Sequence, residues 1–176
     1  MIGVMVPMAY GEINLSDLKL DANEITLYDK SEEKIWKLIR DSESTALGHH
    51  LMSQGALKKV TQLFEQCEQF KMNPHLCVDQ DQDYSSYRTK ILVEYMEFNN
   101  SDFAKMYYQN QSSLKQNDVP LCKNMGHAGT WTEKLICNVG NIIITITGNI
   151  DPRDYGTFSV MDMTKMWYDA RSEILK

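Results

Sequence analysis

The stretch CVDQDQDYSSYRTK sets three carboxylates, Asp79, Asp81 and Asp83, in alternation with two glutamines. Alternating acids are what a hard cation asks for. An EF-hand loop needs acids at positions one, three and five, a glycine at six for the sharp turn, and a bidentate glutamate at twelve. Here position six is Tyr84 and position twelve is Lys90. The turn residue is absent and a cation stands where the largest ligand belongs, so the EF-hand reading fails. Two readings remain for these acids. They cap and flank a following helix, or they form an acidic contact surface on a loop.

Histidine and cysteine offer a second chemistry. His75 and Cys77 are separated by one residue, and Cys122 and His127 by four. These are zinc ligand types, and an extended PHLCV would point His75 and Cys77 the same way. The paired CxxC spacing of structural zinc sites is missing. Cys122 with His127, in the glycine-flanked CKNMGHAGTW, is the best local nucleophile–base pair for a small Cys/His enzyme. None of the local signatures of cysteine proteases accompanies it. His49 and His50 are adjacent, so on a helix their side chains diverge by about 100° and do not share a substrate. No GxGxxG, GxxxxGK[ST] or GxSxG occurs, which removes the common phosphate loops and the hydrolase nucleophile elbow.

The elements that would carry these residues follow from hydrophobic spacing. In GALKKVTQLFEQCEQFKM, Leu57, Val60, Leu63, Phe64, Cys67 and Phe70 recur at three and four, which predicts an amphipathic helix ended by Asn73-Pro74. Tyr84, Tyr87, Ile91, Tyr95 and Phe98 make a second helical stripe. KSEEKIWKLIRDS reads as a helix with Ser31 as cap and Glu32 and Glu33 in its first turn. Asn100 or Ser101 caps another. EITLYD and the apolar opening MIGVMVPM read as strands. Ile142 to Thr147 is an unbroken run of β-branched residues behind Gly140-Asn141, the pattern of a β-hairpin over about 131–149. Ser159 with Asp162 predicts a capped C-terminal helix over 159–174, with Val160, Met163, Trp167, Ala170 and Ile174 inward. The expectation is a single α+β domain, residues 1–176, dominated by a helical bundle over about 31–116.

Composition bounds the function. The chain has 176 residues, 43% apolar and 24% charged, with a net charge of −6, an ordinary globular make-up. Its only adjacent basic pair is Lys58-Lys59, so it lacks the clustered cations that bind a phosphate backbone. No segment reads as a targeting or membrane span. Four cysteines without a CxxC pair read as reduced, mostly buried thiols of a cytoplasmic protein. The functional expectation is a non-enzymatic acidic binding domain without cofactors. Its most concrete form is an inhibitor or immunity protein that masks a basic toxin or nuclease. Asp79, Asp81, Asp83, Glu32 and Glu33 would steer that partner, and Tyr84 and Tyr87 would anchor it. A small enzyme using Cys122 and His127, or a metal-stabilised module built on His75, Cys77, Cys122 and His127, are the alternatives.

Overall fold

The β-branched run does what its composition dictates. In a computed structural model, which describes residues 13–29, 34–70, 73–77, 90–111, 115–116, 118–124, 132–149 and 159–175, it forms a strand of the expected hairpin. Counted along the chain, the strands are β1 (Lys34–Ser44), β2 (Ala56–Phe70), β3 (Asn73–Cys77), β4 (Lys90–Phe98), β5 (Lys115–Gln116), β6 (Cys122–Asn124), β7 (Thr132–Val139) and β8 (Ile142–Asn149). β7 and β8 pair antiparallel around Gly140-Asn141, with Val139 opposite Ile142. The sheet runs β1-β2-β4-β8-β7-β6-β5, every neighbour antiparallel, and β3 pairs with the end of β2.

Five short helices cover this sheet among the described residues. They are α1 (Leu15–Leu18), α2 (Ala22–Asp29), α3 (His49–Ser53), α4 (Ser101–Gln109) and α5 (Val160–Ala170). One face buries Val60, Phe64, Val93, Tyr95, Ile144 and Ile146 against Leu15, Leu18, Leu20 and Ile25 of the α1–α2 segment and Val160, Met163 and Trp167 of α5. On the other face Phe98, Ile136 and Ile143 pack with Ala104 of α4, beside Leu51 of α3. α5 is capped as its sequence predicts. The Ser159 hydroxyl accepts from the Asp162 N–H at 3.1 Å, and the Asp162 carboxylate accepts from the Ser159 N–H at 2.9 Å. Val160, Met163 and Trp167 point inward, but Ala170 and Ile174, expected inward, are exposed, and Met166 and Arg171 are buried instead. Asn100 caps α4 through the Phe103 N–H. Two glycines are set by close approach. A Cβ on Gly148 would lie 2.6 Å from Val160, and Gly55, at φ +85°, lies under the Phe103 ring.

The sheet overturns the helix-dominated expectation. Residues 56–70 are the long strand β2, not an amphipathic helix. Val60, Gln62, Phe64 and Gln66 alternate inward, and a pair of glutamines on the buried face hides the period of two. Residues 34–44 are β1, an edge strand with every residue from Leu38 to Ser44 exposed, so no alternation marks it. Residues 90–98 are β4, with Ile91, Val93, Tyr95 and Phe98 buried. Conversely, EITLYD lies in α2, where only Ile25 is buried. The strand expected in MIGVMVPM and the cap expected at Ser31 lie outside the described residues. β2, next to the edge, is the longest strand, and β1, β3 and β4 all pair with it.

The thiols are corrected too. Cys122 and Cys137 face each other across β6 and β7 and form a disulfide. Cys67 is also disulfide-bonded, and no cysteine among the described residues is free.

Candidate functional site

The most organised polar chemistry lies under the α1–α2 segment. Gln62 of β2 turns its side-chain amide to the backbone of Leu20. Its Nε2 donates to the Leu20 carbonyl and its Oε1 accepts from the Leu20 N–H, each at 3.1 Å. The pairing imitates a strand-to-strand contact with a side chain. Tyr95 of β4 completes it, donating to Gln62 Oε1 at 3.0 Å and accepting from the Leu20 N–H at 3.1 Å. Tyr95 is fully buried. Burial, the largest influence, pushes its phenol well above the ordinary tyrosine value, while the Leu20 N–H and the Arg171 guanidinium act the other way.

Arg171, just past α5, supplies the cation. It is 7% exposed. Its Nε donates to the Leu18 carbonyl at 3.1 Å, and its Nη2 donates to the Lys19 carbonyl and to Glu24 Oε2, the latter at 3.0 Å. Trp167 Nε1 donates to the same Leu18 carbonyl at 2.9 Å. A helix end is thus satisfied from another element, since these carbonyls close α1. Further out, Asp29 accepts from Trp36 Nε1 at 2.7 Å and from Gln66 Nε2 at 2.6 Å. The Thr26 hydroxyl accepts from the Trp36 N–H at 2.9 Å, which occupies a donor on the outer edge of β1. This network binds the α1–α2 segment to the sheet, and of its polar groups Arg171 Nη1 is buried without a hydrogen-bond partner among the described residues.

The surface has two textures. Across β2 and β4, Lys58 pairs with Glu97 at 3.4 Å, Lys90 pairs with Glu65 at 3.4 Å, and Lys59 pairs with Glu94. Partly exposed surface pairs of this kind are each worth about 0–1 kcal/mol, so they set register and solubility more than stability. Tyr107 of α4 lies beside the last pair, and burial first, then Glu94, raises its phenol. The second texture is apolar. Leu38 and Ile39 at the β1 bulge are 41% and 51% exposed, and Leu27 on α2 is 80% exposed. α2 packs along β1. The bulge at Leu38/Arg40 and the flanking Lys37, Arg40 and Asp41 blunt this edge against self-pairing.

The residues singled out by sequence fall as follows. Asp79, Asp81, Asp83, Tyr84, Tyr87, Glu32, Glu33 and His127 lie outside the described residues. His75 and Cys77 both sit on β3, as an extended PHLCV requires. Cys122 is fully buried and joined to Cys137. As a half-cystine it carries no thiolate, so it is neither a nucleophile nor a zinc ligand in this state. Among the described residues no three His, Cys, Asp or Glu side chains converge on a metal position. His49 and His50 lie exposed on α3. The Gln62–Tyr95–Arg171 network was missed because glutamines inside an apparent helical stripe read as its solvated face. None of the described helices is long and apolar enough to cross a membrane.

No family model matches the chain, and no curated protein matches it. Among solved structures, the chain is similar in fold to the extracellular domain of PknH from Mycobacterium tuberculosis. The TM-score is 0.50 at 10% identity, over 94% of this chain and 98% of that one. That likeness is one of architecture. Neither it nor the sheet-dominated fold supports toxin immunity or inhibition, and that specific expectation is withdrawn.

Proposed function

We propose that this chain is a non-enzymatic protein-binding domain that works in an oxidising compartment, outside the cytoplasm. The observation that carries this reading is the disulfide between Cys122 and Cys137. Structural disulfides persist where thiols are not kept reduced, which argues against the cytoplasmic location expected from cysteine spacing. The similar fold is that of an extracellular domain, which agrees with this reading. Contact would be made at the α2–β1 side, where Leu27, Leu38 and Ile39 are exposed beside Lys37, Arg40 and Asp41. Apolar anchors within a charged rim are the anatomy of a protein interface. The net charge of −6 favours a partner with a basic face, through steering.

Thiol trapping in intact cells tests the compartment. Cells are quenched in acid, alkylated, and the peptides that contain Cys122 and Cys137 are weighed. Protected, linked cysteines support the proposal, and alkylated ones end it. A photo-crosslinker at Ile39, with a control at Lys165 on α5, tests the surface. A discrete protein adduct at Ile39 alone supports it. Equal adducts at both positions, or none, reject it.

A further inference from the structure

Three tripeptides of the chain have the form Asn-x-Ser: Asn14-Leu15-Ser16, Asn99-Asn100-Ser101 and Asn110-Gln111-Ser112. This is the acceptor pattern for N-linked sugar in a secreted protein, provided that x is not proline and the asparagine stands at the surface. A pattern so short recurs by chance, so its placement in the fold decides. Two of the three asparagines bracket α4, which packs on the sheet face opposite to α2 and α5.

Asn99 lies between β4 and α4, on a fixed backbone. Its N–H donates to the Gly55 carbonyl at 2.9 Å. Before it, the Phe98 N–H donates to the Asn141 carbonyl at 2.9 Å, and the Phe98 carbonyl accepts from Asn141 Nδ2 at 3.1 Å. The Asn99 side chain itself is exposed and makes no hydrogen bond among the described residues. Capping falls to Asn100, whose Oδ1 accepts from the Phe103 N–H at 3.0 Å. Ser101, at the first position of α4, is exposed. Asn110 closes the same helix, its N–H donating to the Met106 carbonyl at 3.0 Å. Its side chain is likewise exposed and unbonded among the described residues. Gln111 turns its own amide back to the Tyr107 carbonyl at 3.3 Å. Ser112 lies outside the described residues. Asn14 is different. Its Oδ1 accepts from the Ser16 N–H at 3.1 Å as the cap of α1, and Leu15 beside it is buried.

We infer that Asn99 and Asn110 carry N-linked oligosaccharide, one at each end of α4. The inference rests on the oxidising, extracytoplasmic compartment proposed above, and it adds a modification that the compartment alone does not require. The donor is an oligosaccharide linked to a polyisoprenyl diphosphate. The asparagine Nδ2 bonds to the anomeric carbon and gives up one proton. The bond from that carbon to the diphosphate oxygen breaks, and the lipid diphosphate leaves with the electron pair. The nine residues of α4 set the two acceptors about 14 Å apart along the helix. Between them Met106 is 46% exposed and Asp102 and Lys105 are exposed. Sugar at both ends covers this outer side of α4. It leaves the α2–β1 side, with Leu27, Leu38 and Ile39, bare for a protein partner.

The test uses the full chain isolated from its own cells. Trypsin cuts after Lys90, Lys105 and Lys115, which puts Asn99 and Asn110 on separate peptides. Each peptide is weighed and then fragmented with its sugar bonds kept. The expected result is extra mass of sugar residues located on Asn99 in one peptide and on Asn110 in the other. The Asn99→Gln/Asn110→Gln chain should run faster in electrophoresis than the wild type, and the wild-type peptides decide alone if that variant fails to fold. Bare peptide mass at either position overturns the inference. Cys122 and Cys137, trapped in the same sample, separate the two levels. Linked cysteines with bare asparagines overturn the modification and leave the compartment standing. Alkylated cysteines with bare asparagines overturn both.

Discussion

Beneath α5, the β7–β8 hairpin presents Leu135, Ile144 and Ile146 to Val160, Met163 and Trp167, an interface of apolar side chains. Beneath α1 and α2, β2 and β4 present Gln62, Gln66 and Tyr95 among Val60, Phe64 and Val93. The two halves are buried by different means. The hairpin half relies on transfer of apolar groups, which is strong and non-directional. The strap half adds hydrogen bonds that are each worth only about 1 kcal/mol net but cost more when half-removed. The reason lies in what covers each half. α5 satisfies its own backbone through most of its length. The Leu18–Asp21 stretch between two short helices does not, and Gln62, Tyr95, Arg171 and Trp167 supply its partners. Directional bonds therefore appear where an irregular segment is buried.

Trp167 belongs to both halves, so it breaks the comparison hardest. Its ring is fully buried and its Nε1 holds the Leu18 carbonyl. Trp167→Ala should cost about 3–5 kcal/mol through the cavity it leaves. Trp167→Phe keeps most of the apolar volume and loses the hydrogen bond, and Arg171 Nε still serves that carbonyl. Its cost should be nearer 1–2 kcal/mol. Urea unfolding of the two variants separates the apolar from the directional share. Equal losses would mean that the ring's packing contributes little beyond its bond.

The next effect isolates the strap half. Gln62→Leu is close in volume and leaves the Leu20 carbonyl without a donor, so it should destabilise by about 1–3 kcal/mol. The same exchange in the opposite sense, Ile144→Gln, puts an unpartnered amide in the hairpin half and should cost more, about 2–5 kcal/mol, through lost burial as well as desolvation. If Gln62→Leu proves neutral, the strap half is as apolar in practice as the other, and the distinction falls.

These glutamines also explain how legible the fold was. The hairpin, the Ser159–Asp162 cap and the Asn100 cap could be read because each is a local signal: β-branched runs, a turn pair, and a side chain three residues from its donor. β2 could not. Its inward positions alternate Val60, Gln62, Phe64, Gln66, and with the glutamines discounted, Leu57, Val60, Leu63, Phe64 and Cys67 fall at helical spacings. Gln62 faces inward only because Leu20, far away in sequence, needs a partner. β1 was illegible for another reason. It is an edge strand with one partner, and its exposed half carries no hydrophobic period. The Cys122–Cys137 pair had no sequence signal either, because a cross-strand bond is set by register and the spacing of 15 residues follows from the intervening chain.

Alkali gives a smaller, graded test of the strap half. The folded state holds the Tyr95 phenol well above its ordinary value, chiefly by burial. The unfolded chain releases that proton near pH 10. Stability from this group is therefore complete below about pH 10 and falls as the pH rises further, by at most about 1.4 kcal/mol per unit. Tyr107 and Tyr108 shift in the same direction, so Tyr95→Phe should flatten the slope between about pH 10 and 11 without abolishing it. An unchanged slope would show that Tyr95 is not the group that resists ionisation.

The least effect concerns how α5 comes to lie over the hairpin. Ser159 and Asp162 close its first turn reciprocally, and a lost cap of this kind costs about 0.5–2 kcal/mol. Ser159→Ala should fall near the lower end, since Val160 still packs against Gly148 and Arg171 and Trp167 still hold the far end. What matters is where the loss appears. If apolar packing positions the helix, amide exchange should quicken in its first turn alone. If the cap positions it, protection should also fall in the strap half, because Trp167 and Arg171 would move with the helix and release the Leu18 carbonyl. The first pattern keeps the two halves distinct, with the cap a local refinement. The second would make α5 a lever that connects them.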